Sequence, residues 1–338
     1  MGKAKKTSTN ASSGRIPDEP AAPLNPRLMM EQALRDIQKV LQEHEFADMD
    51  EANAYLAKLS GGGFKNALRN TRPLSPQEEA QEIADQAMQA PTARKGLALA
   101  RQALAKDADC VDALVVLAGA ASKSDEQYIA GLEKAVAAGE RSLGADYFEE
   151  NKGHFWGLVE TRPYMRARAT LAEFLFSAGR MPEAISHFEG ILALNPNDNQ
   201  GVRDRLLNCY LASGDLKGAQ RLLRQYHEDC SAVFNWGKTM ERFLAGDQKG
   251  AERALQLAQK DNRFVGLYFT GKKTPPRETP PYYSPGSEEE AQICLETLAE
   301  TLIAHPKLVM WLMTSLMAED LSEMNRRLRR MARRGNRP

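Results

Sequence analysis

The stretch Leu171-Ala-Glu-Phe-Leu-Phe-Ser-Ala-Gly179-Arg-Met-Pro-Glu-Ala184-Ile-Ser-His-Phe188 decides the fold. It sets a glycine eight residues after a leucine, an alanine five after the glycine and a phenylalanine four after the alanine. The spacing returns twice, with Gly214 leading to Ala219 and Leu223, and Gly246 to Ala251 and Leu255; the glycines lie 35 and then 32 residues apart. Leu206 again precedes its glycine by eight residues, whereas the third copy lacks this leucine. Close packing of a helix pair explains the pattern: glycine makes the turn, alanine lets the second helix approach the first, and the bulky residue plugs the seam. Asn195-Pro196 closes the first copy where a helix must stop.

Around this centre the sequence reads as helix after helix. Upstream, Gly96–Ala108 reads as a second helix of a pair, Asp112–Ala118 as the first helix of the next, and Tyr128–Ala138 as its completion. Ser75-Pro76-Gln77-Glu78 has the form of a helix start, with a capping serine, proline at the first helical position and an acid in the first turn. Arg27–Gln42 and Asp50–Leu59 carry helical periods, and Gly61–Gly63 opens a linker. Alternation at period two is confined to Phe264–Thr270. The expected organisation is an N-terminal arm over 1–25, a small helical segment and Gly-rich linker over 26–74 and a solenoid over 75–265 with an insertion at 144–163. A Pro-rich connection over 266–287, capping helices over 288–325 and an Arg-rich tail over 326–338 follow. The fold class expected is all-α.

Met165–Asp198, with Leu171, Gly179, Ala184, Phe188 and Pro196, resembles a tetratricopeptide (TPR) repeat, and Asn199–Ala232 and Val233–Val265 resemble two weaker copies. The resemblance implies a right-handed α-solenoid of helix pairs with flanking helices and a concave groove that binds peptides. Gly153–Arg168 and Leu194–Arg203 resemble signatures of an uncharacterised bacterial tetratricopeptide group. Asn262–Phe269, followed by Tyr283–Ala291, is similar to the end of the suppressor-of-tumorigenicity-seven family, although Gln292–Ala304 lacks the aromatic residues expected there. Neither relative implies a reaction.

Register places the groove positions on the first helix of each pair: Arg166, Glu173 and Phe176, then Asp204 and Asn208, then Trp236 and Met240. Repeats that grip a terminal carboxylate use a Lys/Asn/Lys/Arg clamp; only Asn208 matches it, so that clamp is not expected. The apolar face of the third unit suits either a hydrophobic peptide or the C-terminal helices. In the turn Asn195–Arg203, Asp198 or Asn199 is expected to cap the next helix and Asn197 to take a left-handed conformation. Gln200 and Arg203 have no evident structural task there and join the groove set. In the insertion, His154, Trp156, Glu160, Arg162 and Tyr164 form a candidate anion pocket, with Arg162 and Arg166 one turn apart. The competing reading is that these arginines pair with nearby acids.

Overall neutrality, 45 basic against 45 acidic groups, conceals segregation. Arg326, Arg327, Arg329, Arg330, Arg333, Arg334 and Arg337 crowd an acid-free end, and Lys3, Lys5, Lys6 and Arg15 another, which leaves the remainder at −11. A tail of this kind suits RNA or another anionic surface, or merely aids solubility. Motifs for phosphate loops, dinucleotides, zinc proteases and nucleophile elbows are absent from the sequence. The four cysteines lack metal-ligand spacing, so neither cofactor nor metal is expected. No apolar run approaches the ~20 residues of a membrane span, the start lacks a secretory core, and a cytoplasmic location follows. The expected function is a non-enzymatic scaffold that binds a protein or peptide partner in the groove; the alternative is an RNA- or ribosome-associated factor acting through the tail.

Overall fold

The structure, a computed structural model, describes residues 25–60, 62–278 and 282–318. The arm before residue 25 and the Arg-rich tail therefore lie outside the described residues. Among those described, every regular element is helical. Contacts divide the chain at 108/109 into two compact units.

The first unit holds α1 (Pro26–Gln42), α2 (Met49–Leu59), α3 (Gly63–Arg69), α4 (Pro76–Met88) and α5 (Ala93–Lys106). Ser75 caps α4 as expected: its hydroxyl accepts from the Glu78 amide while the Glu78 carboxylate accepts from the Ser75 amide. Helices α4 and α5 approach along an alanine seam, with Ala80, Ala84, Ala100 and Ala103 buried, because a methyl group is all the interface admits. Asp85 of α4, also buried, pairs with Arg35 of α1.

The second unit is an all-α helical-repeat solenoid. Its pairs are α6 (Val111–Ala121) with α7 (Asp125–Leu143), α9 (Arg162–Ser177) with α10 (Met181–Leu194), α11 (Arg203–Ser213) with α12 (Leu216–Gln225), and α13 (Ala232–Leu244) with α14 (Gln248–Asp261). Between α7 and α9 the insertion forms a short α8 (Ala145–Glu150) and two 3-10 turns, Phe155–Gly157 and Val159–Thr161. Beyond α14 come α15 (Arg263–Phe269), α16 (Glu288–Thr297), α17 (Ala299–Ala304) and α18, residues 306–318.

The repeat logic is visible at each turn. Gly179, Gly214 and Gly246 have φ of 75°, 76° and 80°, the left-handed conformation that glycine adopts without strain. Ala184, Ala219 and Ala251 are fully buried, as are Phe188 and Leu255. Asp215 and Asp247 then start the second helices by accepting from the amides of Gly218 and Gly250, both at 2.9 Å.

Three expectations are corrected. Leu223 is only partly buried, and Leu222 takes the core position in the second seam. The alternating stretch Phe264–Thr270 is helical over α15, because the Asn262 side chain caps the Phe264 amide and starts a turn; the Pro-rich connection accordingly begins after Phe269. In the turn before α11 the left-handed residue is Asp198, with φ of 50°, rather than Asn197. That conformation aims its carboxylate at the amides of Val202 and Arg203, 2.8 and 3.0 Å away.

Because the alanines sit in closed seams, Ala184→Trp and Ala219→Trp should each overpack a helix pair and cost about 1–3 kcal/mol or more. Circular dichroism melts read the loss directly, and wild-type melting of both variants would contradict the register.

Candidate functional site

The groove expected on the first helices α9, α11 and α13 is met, over α11 and α13, by the chain's own C-terminal helices α16, α17 and α18. Helix α17 packs along α11, and α16 along α13. Asn208, in the middle of α11 and fully buried, holds the seat. Its side-chain oxygen accepts from the Thr301 hydroxyl at 2.7 Å and the Thr301 amide at 3.2 Å, and its amide group donates to Glu300 at 2.8 Å. The Thr301 hydroxyl is completely buried at this contact. One turn on, His305 Nε2 donates to the Leu211 carbonyl at 2.8 Å, and Trp311 stacks on Phe243 at 4.7 Å.

Glu290 fastens the other end. Its carboxylate accepts from the Ala232 amide at the start of α13, from Asn262 before α15 and from the Gly286 amide, at 2.9, 2.9 and 2.7 Å. In sequence, Glu290 is the last of three consecutive glutamates in the first turn of α16, a pattern that implies only a favourable helix-dipole interaction. Neither the number nor the distance of its partners is legible from a run of three glutamates.

The expected groove residues thus separate. Asn208, Trp236 and Met240 are at most 1% exposed and lie in the core, which corrects the expectation that they line an open groove. Gln200 and Arg203, thought free of structural work, have it: Gln200 donates to the Met165 carbonyl at 3.1 Å. Arg203 donates to Asp229 at 2.8 Å and lies over Tyr226 and Phe234. Arg166 pairs with Asp112 of α6 at 2.7 Å, the acid being buried. Glu173 and Arg205 remain partly exposed, 3.4 Å apart, with the guanidinium over Phe176. Asp204 is anomalous. One carboxylate oxygen is buried without a hydrogen bond, and burial, reinforced by Asp229 and opposed by Arg203, pushes its pKa up to about 7.

The insertion does not converge into one pocket. Arg162 donates to the Trp156 carbonyl at 3.2 Å and lies over the Trp156 ring. Glu160 accepts from Tyr147 at 3.0 Å, and His154 is exposed. Tyr164 points elsewhere: it is buried, edge-on to Phe148 at 5.1 Å, and its hydroxyl accepts from Arg168 at 2.8 Å. These two residues line a cleft of about 500 Å³ between α7, α8, α9 and α10. Arg168 stands in sequence beside the residues of the candidate anion pocket; what sets it apart from the neighbouring arginines is Gly190, a glycine inside a helix, against which it packs. Among the described residues no group of His, Cys, Asp and Glu is arranged to hold a metal ion.

The solenoid defines the class, an all-α helical-repeat protein. A tetratricopeptide-repeat family model matches residues 175–229, from the last turn of α9 past the end of α12. Repeats of this kind generally mediate protein–protein interaction. No curated protein matches the chain. The likeness to the bacterial group and to the suppressor-of-tumorigenicity-seven family rests on the quoted residues alone. No helix among the described residues is long and apolar enough to cross a membrane.

Two outcomes follow from the buried charges. Arg166→Ala removes the guanidinium that pairs with the buried Asp112 carboxylate and should lower stability by about 1–3 kcal/mol, measured by urea unfolding; an unchanged midpoint would show the pair to be dispensable. Asp204 ionises near 3.8 when unfolded and near 7 when folded. The folded chain therefore holds the extra proton between those values, and this group's contribution to stability declines as pH rises through that window. Asp204→Asn, which cannot ionise, should exceed wild type by about 1–3 kcal/mol at pH 8 and match it near pH 4. Melting curves at the two pH values give the comparison, and equal differences at both would refute it.

Proposed function

We propose that the chain is a non-enzymatic scaffold that binds a protein partner on the concave side of its solenoid. The observation that carries the reading is what that side already holds. Three helices of the same chain pack on α11 and α13, with Leu298, Leu308 and Leu312 buried and a polar seam at Asn208 and Glu290 fixing their register. A helical wall that accepts amphipathic helices is the helix-in-groove mode of recognition. The chain's own helices occupy the stretch over α11 and α13. The part left to a partner is the border of α9 and α11, where Glu173, Arg205 and Phe176 offer a charge pair over an apolar base.

Affinity capture with full-length protein tests the reading, using wild type beside the double charge reversal Glu173→Arg, Arg205→Glu, each with and without nuclease. The expected result is a protein recovered by wild type, lost by the reversal and insensitive to nuclease. Recovery that survives the reversal, or that vanishes with nuclease, removes the α9–α11 border as the binding surface.

A further inference from the structure

We propose that the cleft between α7, α8, α9 and α10 is a receptor for a carboxylate carried on an apolar body. The lining of the cleft shares no residue with the Glu173, Arg205 and Phe176 border, so the inference goes beyond the scaffold reading.

Its base is built around a guanidinium. The Arg168 side chain crosses from α9 to lie against α10 at Gly190, where a Cβ would stand 1.8 Å from its Nη2 and 2.4 Å from its Cζ. A second glycine, Gly139 of α7, gives room to the Tyr164 ring, which a Cβ would meet at 2.8 Å. Two glycines inside helices, each costing about 0.5–1 kcal/mol against alanine, thus seat Arg168 and the Tyr164 phenol to which it donates.

Arg168 also differs from Arg166 of its own helix and from Arg203 and Arg205 of α11, each of which pairs with a carboxylate. Arg166 has Asp112, Arg203 has Asp229 and Arg205 has Glu173. Arg168 has no carboxylate within 4.0 Å among the described residues; it donates to the neutral Tyr164 hydroxyl, and its Nε is buried without a partner. A half-buried guanidinium with unfilled donors matches a carboxylate in a forked pair of hydrogen bonds. Burial keeps Tyr164 protonated, so the phenol stays neutral beside it. His187, one turn before Gly190, also has a buried ring nitrogen without a partner. Its burial and the nearby Arg168 depress its pKa and keep it uncharged.

The lining sets the rest of the ligand. Phe148, Ala193 and Leu194 supply apolar surface, while Glu140, Glu149 and Lys152 are the exposed charged members of the lining, and Glu140 accepts from the Tyr164 hydroxyl at 3.4 Å. Two acids against one lysine on the rim disfavour a doubly charged phosphate and admit a monoanion. A cleft of about 500 Å³ is the size at which small ligands bind.

Calorimetric titration of the full-length protein with N-acetyl-L-leucine, N-acetyl-L-leucinamide and inorganic phosphate tests the assignment. The acid should bind at least tenfold more tightly than the amide, about 1.4 kcal/mol, and phosphate should bind more weakly than the acid. Arg168→Gln and Gly190→Ala should each lose at least tenfold. The acid–amide comparison on wild type stands even if a variant fails to fold. A short peptide ending in leucine distinguishes the source of the carboxylate: tighter binding than the free acid indicates a chain terminus, equal binding a small molecule. Equal affinity for acid and amide, preference for phosphate, an unaffected Arg168→Gln variant that melts as wild type, or no binding up to about 10 mM would each overturn the proposal.

Discussion

Asn208 cannot be left by itself. Its side-chain amide sits at zero exposure in the middle of a repeat helix, and an amide in that position without partners would cost about 1–3 kcal/mol for each group left unpaired. The partners come from more than ninety residues away, from Glu300 and Thr301. Once those contacts exist, His305 can cap the Leu211 carbonyl and Trp311 can reach Phe243. Glu290, gripping the start of α13 and the turn before α15, sets where the returning chain begins. The face formed by α11 and α13 is therefore a composite of repeat helices and returning helices, joined by buried polar bonds that specify one register. An apolar interface of the same area would leave that register free to slide.

The repeats were legible because their signals are local. Gly179, Gly214 and Gly246 must make left-handed turns, and Ala184, Ala219 and Ala251 must fit closed seams, so a short window of sequence contains both cause and consequence. The failures have the same origin. Leu222 and Leu223 are adjacent leucines, and only the packing of α12 in the folded chain decides which turns inward. The turn at Asn195–Arg203 offers several side chains able to adopt positive φ, and Asp198 takes it because its carboxylate then meets two free amides.

The groove was harder to read, for a reason that is physical rather than statistical. Register correctly puts Asn208, Trp236 and Met240 on the first helices, but whether such a position meets solvent, a partner or the chain itself depends on contacts that span dozens of residues. The one hint was the apolar character of the third unit, which fits any of those occupants equally well. The arginines pose the same difficulty. Arg162, Arg166, Arg168 and Arg203 look alike along the chain, yet the structure gives them a tryptophan carbonyl, a buried aspartate, a phenol and a second aspartate.

That divergence separates charge that holds the fold from charge that remains available. Where a guanidinium meets a carboxylate already buried, as Arg166 meets Asp112, its donors are committed, and the pair locks two helices together. Asp204 shows the opposite imbalance: a carboxylate buried beside Asp229, with one oxygen unpartnered, gives up its ionisation near neutrality. At Arg168 neither resolution is open, because a guanidinium cannot shed its proton and no acid of the surrounding helices reaches it. Gly190 keeps it in place against the helix backbone all the same. A cation fixed in a cleft with a phenol, rather than a carboxylate, as its direct partner is the charge that the proposed ligand would engage.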